Sequence, residues 1–118
     1  MARFRYRMQG ILDIKIKLET QARQEFAQAK LALDKEEEKL LLLEEVLHRY
    51  EEEAAKLLQG KLDVQEIMTN KDAIIHTQVS IEEQMVQVEI ARNKMEEARE
   101  QLKNVMQERK VHETLKDK

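Results

Sequence analysis

The 118-residue chain has no cysteine, no proline, no tryptophan, two glycines and four aromatic residues. Without cysteine there is neither a disulfide framework nor a thiolate metal site, which fits a reducing compartment. Without proline nothing forces a break in long helices. The longest aliphatic run, the four leucines at 40–43, falls far short of the roughly 20 apolar residues that cross a bilayer. A secretion signal is not read at the start, because Asp13, Lys15 and Lys17 interrupt the apolar residues that follow Arg3, Arg5 and Arg7. The expectation is a soluble cytoplasmic chain that does not insert into a membrane.

Catalytic signatures are missing as well. The sequence has no Gly-rich phosphate loop, nucleophile elbow, HExxH pair or EF-hand spacing, so it predicts no enzyme and no cofactor. Carboxylate pairs such as Glu37 and Glu44 read as a solvated helix face. Glu45 and His48 have the Glu-x-x-His spacing of a di-metal bundle, but a second such motif is absent and no metal site is assigned. His48, His76 and His112 are scattered, although a hairpin would let His48 approach His76. Met8, Met68, Met85, Met95 and Met106 suit either gap-filling or an adaptable binding surface.

What the chain does have is charge, at 38% of residues, and a Glu, Lys, Leu, Gln and Ala composition typical of long helices. The helical pattern breaks at LLQGKLDVQE, residues 57–66. Gly60 suits the left-handed residue that ends a helix, and Asp63 with Glu66 three residues later forms a capping-box-like start. The predicted architecture is all-α, two long helices in an antiparallel coiled-coil hairpin. It is a single hairpin over 1–118, with arm one about 4–58, a connection about 59–63 and arm two about 64–117. Short connections favour antiparallel neighbours, and residue i of one arm should lie near residue 122 − i of the other.

Arm one shows a seam of Phe4, Met8, Ile11, Leu18, Ala22, Phe26, Ala29 and Leu33, then Leu40, Leu43, Leu47, Tyr50, Ala54 and Leu57, with Glu36 as an interruption. The two four-residue steps from Leu18 to Phe26 complete an eleven-residue repeat at Ala29, which predicts local relaxation of the supercoil. In arm two Ile67, Ile74, Ile81, Val88, Met95 and Leu102 are seven apart. Met85, Ala91, Ala98 and Val105 are expected to fill the alternate row, weakened by Lys71, Gln78, Arg92 and Arg99.

Charge is polarised along the chain. Residues 1–23 carry six basic against two acidic side chains, 34–53 nine acidic against three basic, and 99–118 six basic against four acidic. A hairpin would join the two basic segments at one end. That end holds Arg3, Phe4, Arg5, Tyr6 and Arg7, where half of the aromatics alternate with arginine. Such a segment suits a protein interface, in which Tyr and Arg are enriched as anchors. The bland reading is a terminus whose Phe4 and Tyr6 cover the end of the seam. Nucleic acid is not expected as a partner, since the net charge is −3 and no recognition fold surrounds the arginines.

Phe4, Tyr6, Met8, Gln9, Ile11, Leu12, Asp13 and Lys15 follow an order of aromatic, any residue, aromatic, apolar-Gln, aliphatic pair, acidic and basic. This opening resembles that of the FliJ family of flagellar export proteins. GKLDVQEI at 60–67 is similar to the family's Gly, capping residue and Gln-Glu-like helix start, and KVHETLKDK at 110–118 resembles its charged late segment. The resemblance implies a non-enzymatic stalk or adaptor of the flagellar type III export apparatus, cytoplasmic and peripheral to the membrane at the flagellar base. Its implied partners are the hexameric export ATPase, the export gate membrane protein and export chaperones. By analogy with rotary stalks, the end bearing Arg3, Phe4, Arg5, Tyr6, Arg7, Arg109 and Lys110 would enter the ATPase ring. Relatives often carry exposed bulky residues where this chain has Ala73 and Thr77, and the family usually continues beyond the position of Lys118. The alternative reading is a generic self-associating coiled-coil scaffold or chaperone-like hairpin.

Overall fold

The computed structural model describes residues 2–117. The fold is all-α: helix α1 spans Ala2–Leu57 and helix α2 spans Val64–Asp117, joined as an antiparallel coiled-coil hairpin. Packing divides the chain into a terminal unit, residues 2–32 with 91–117, and a turn unit, residues 33–90.

The turn unit contains the reversal, and its chemistry is local. Gly60 has a φ of 72°, a conformation that an L side chain adopts only at a cost and glycine adopts freely. Gln59 N–H donates to the Lys56 carbonyl at 3.1 Å as α1 ends. Asp63 then caps α2, its Oδ1 accepting from the backbone N–H groups of Gln65 at 3.0 Å and Glu66 at 3.3 Å. Two of the donors left unpaired by the start of any helix are thereby satisfied. Ile67 N–H donates to the Asp63 carbonyl at 3.0 Å, the first bond of the α2 ladder.

Within the turn unit α1 turns Leu33, Glu36, Leu40, Leu43, Leu47, Tyr50, Ala54 and Leu57 inward, in strict steps of three and four. Glu36 therefore lies on the seam and does not interrupt it. On α2 the aliphatic row is Ile67, Ile74, Ile81 and Val88, and the alternate row is Asn70, Thr77 and Gln84. Met85 was expected in that row but is 56% exposed, because a three-residue step from Ile81 reaches Gln84. Two polar members tie the helices together: Asn70 Nδ2 donates to the Tyr50 carbonyl at 3.1 Å, and Gln84 Nε2 to the Glu36 carbonyl at 2.9 Å. Buried polar groups that need such partners fix the register of a coiled coil. Thr77 closes on its own helix, donating to the Ala73 carbonyl at 2.7 Å.

Within the terminal unit the α1 seam is Met8, Leu12, Lys15, Glu19, Ala22, Phe26 and Ala29, again in steps of three and four. This corrects the expected course of the seam. Leu12 is buried in place of Ile11 as the main contact, Leu18 is exposed, and the eleven-residue repeat does not occur. The seven-residue period continues because Lys15 and Glu19, two charged residues, occupy positions an apolar pattern cannot register. Phe4 does not begin the seam, since the same spacing upstream of Met8 reaches Arg5. Facing this stretch, α2 presents Ala91, Met95, Ala98, Leu102, Val105, Arg109 and His112. Ala22, Ala29, Ala91 and Ala98 place small side chains on both helices, which favours close approach of the axes.

Candidate functional site

The terminal unit gathers the residues expected to bind a partner, and the structure sorts them into two kinds. Arg3, Phe4, Arg5, Tyr6 and Arg7 lie exposed on the opening turns of α1, with Tyr6 85% accessible. Among the described residues, none of the three arginines makes an ion pair. The first turn of α1 holds no acidic residue, so Arg3 and Arg5 sit against the positive end of the helix dipole. Local stability favours the opposite arrangement. Tyr6, with nearly all of its surface in water, does not cover the seam end.

Arg109 behaves differently. It reaches across the hairpin, its Nε 2.6 Å from Glu19 Oε2, and along its own helix, its Nη1 2.9 Å from Glu113 Oε2. Glu19 is only 7% exposed, and burying such a side chain is costly unless it is paired, as it is here with Arg109. Arg23 Nη2 adds a second contact to Glu19 at 3.1 Å. Burial works against the charge on Arg109, yet its hydrogen bonds and charge pairing with Glu113 and then Glu19 prevail and raise its pKa. Lys110, the next residue, is exposed. Arg109 thus closes the hairpin while Lys110 stays open to solvent.

A second cross-hairpin pair joins Lys15 Nζ to Glu108 Oε2 at 2.8 Å. The hydrogen bond from Lys15 and its charge hold the Glu108 carboxyl below its ordinary value, against the effect of burial, with His112 adding a smaller lowering. Arg99 lies 5.9 Å from the centre of the Phe26 ring, within cation–π range. Sequence reasoning missed Glu19 and Lys15 as structural residues. Their signal was the three-four spacing from Met8 and Leu12, legible only once charged residues are admitted to the seam.

At the turn Gly60 takes a positive φ and Asp63 caps the start of α2. Glu66 contributes its backbone N–H to that cap. His48 and His76 are both exposed, and His48 Nε2 contacts Glu52 at 2.8 Å along its own helix. Among the described residues no group of three metal-binding side chains exists, and no helix is long and apolar enough to cross a membrane.

Counted over 1–32 and 91–118, the terminal unit has fifteen basic and nine acidic residues, a net +6. The turn unit, 33–90, has six basic and fifteen acidic, a net −9. The arrangement offers a cationic, aromatic-bearing end on a helical hairpin and an acidic region around the turn.

No curated protein and no solved structure matches the chain. The model of one family, described as Flagellar FliJ protein, matches residues 4–118. With nearly the whole chain matched, including the aromatic-arginine opening and the glycine turn, this helical hairpin belongs to the FliJ family and has a role in flagellar export.

Proposed function

We propose that the protein is a non-catalytic stalk or adaptor that docks its cationic end, Arg3 to Arg7 with Lys110, on the hexameric export ATPase. The observation that carries this reading is the open Arg-aromatic segment at the start of α1. Five residues rich in interface anchors are held on a helix, without internal ion pairs, where the helix dipole opposes their charge. An acidic surface at the ring would relieve that opposition and desolvate Phe4 and Tyr6. Arg109 belongs to the same end but supports it from within, by clasping Glu19. The adaptor would lie at the flagellar base, peripheral to the membrane, and contact the export gate and export chaperones along its flanks.

Adding the protein to the purified cognate ATPase should increase hexamer formation and ATP hydrolysis. The Arg3→Glu, Arg5→Glu, Arg7→Glu triple variant should lose the effect while keeping its helical content. Equal stimulation by both proteins, or none by either, would refute docking through this end.

A further inference from the structure

Two apolar stripes lie beside the seam, one in each unit, and apart from the half-buried Ile11 their members are exposed. In the terminal unit Phe4, Ile11, Ile14 and Leu18 follow steps of seven, three and four along one flank of α1. Phe4, Ile14 and Leu18 are exposed. The position that would complete the spacing between Phe4 and Ile11 is Arg7, and Arg3 and Lys17 border the row. In the turn unit Met68, Ile75, Val79 and Val86 follow steps of seven, four and seven on the face of α2 turned away from its seam, and all four are exposed. The positions that would complete this spacing are Asp72 and Glu82, with Glu83 on one side of the row and the single cation Lys71 on the other. Each stripe has the period of an amphipathic helix face. They extend over about 21 and 27 Å at 1.5 Å per residue.

We propose that the protein self-associates, the cationic stripe on α1 of one copy seating on the acid-bordered stripe on α2 of a second copy. Both rows follow helical spacing and they are opposite in charge: an arginine fills the gap in one, an aspartate and a glutamate fill the gaps in the other. The surrounding fields agree, +6 around the first and −9 around the second. Both members of the match are encoded in one chain, so each copy meets its complement at its own concentration. The apolar rows supply the burial and the charges set the pairing, which makes the contact sensitive to salt. It does not depend on the docking proposed above, although Phe4 and Arg7 take part in both.

Sedimentation of the full chain over a range of concentrations should show dimers and larger head-to-tail assemblies at low ionic strength that give way to monomer as salt rises. Ile75→Lys combined with Val86→Lys should abolish the dimer with the helical signal unchanged, since both side chains point into solvent. Because the chain has no cysteine, separately tagged Ile14→Cys and Val79→Cys proteins can be mixed and oxidised. A disulfide between the two tags is expected in the mixture and in neither protein alone. A monomer at every concentration and salt, a dimer that survives the double lysine variant, or cross-linking within the Ile14→Cys protein alone would each overturn the proposal. A monomer that captures a cationic amphipathic peptide on Ile75 and Val86 would overturn it too, in favour of a different occupant.

Discussion

The terminal unit and the turn unit solve the two-helix problem in different ways. The turn unit has the richer aliphatic seam, five leucines of α1 against three isoleucines of α2 within it, yet only Leu33 and Val88 there are buried apolar residues. The terminal unit intersperses alanines and charges, and it holds the other six of the eight, Met8, Leu12, Ala22, Ala91, Met95 and Val105. In a pair of helices a long side chain reaches the seam with one side and shows the other to water. Alanines on both helices let the axes draw together, and the charged residues beside them lay their stems over the gap. Aliphatic content therefore does not measure burial in a two-helix rod, and the unit with more leucine leaves more apolar surface for a partner.

The sharpest way to break that comparison is a matched pair of truncations. Met95→Ala, at a buried site of the terminal unit, should cost about 2–4 kcal/mol, whereas Leu43→Ala, at a half-buried site of the turn unit, should cost about 1–2 kcal/mol. Urea midpoints followed by far-ultraviolet circular dichroism would rank them, and the reverse order would refute the account of burial. Enlarging an alanine tests the close approach directly. Ala91→Leu should destabilise by about 1–3 kcal/mol through overpacking, and a neutral or stabilising result would mean the axes have room to spare.

Smaller effects belong to the turn. Gly60→Ala meets no neighbour within 4 Å of the added methyl group, so only the backbone conformation is penalised, by about 1–2 kcal/mol. Asp63→Ala should cost about 1 kcal/mol through loss of the cap. Hydrogen exchange near residues 58–67 would register both, with little change at Met95 if the units respond separately.

The smallest expected effect is on acidification, and it reaches both units. Glu108 is held below its ordinary pKa by Lys15, and Glu36 by the hydrogen bond from Gln84, ahead of opposing burial and the charge of Lys39. A carboxyl whose folded value is lowered stabilises the fold above its unfolded value. That contribution disappears as pH falls from about 4.5 through the lower folded value. Thermal melts should lose stability over that window, and Lys15→Met should flatten the part that Glu108 supplies. An unchanged slope in that variant would remove Lys15 as the cause.

The reversal was legible in the sequence because its requirements are local. A positive φ asks for Gly60, and unpaired helix donors ask for a side chain like that of Asp63. The isoleucine row of α2 was legible because apolar residues recur every seven positions. The alternate row and the start of α1 were not. Nothing local marks Lys15 and Glu19 as inward-facing, and without them Ile11, Leu18 and Phe4 make a plausible but incorrect seam. The arginine opening was visible as a composition, whereas the separation of exposed Arg3, Arg5 and Arg7 from the engaged Arg109 was not.

By itself the sequence determined two helices, the glycine at which the chain turns back and the basic, acidic, basic order of its charges. These depend on backbone conformation, helical period and composition, which neighbours in the chain settle between them. Only the tertiary structure decided that Glu19 and Arg109 face inward and that Phe4 and Leu18 face out. A charge is tolerated in a seam when a partner on the opposite helix neutralises it, and the identity of that partner lies some ninety residues away.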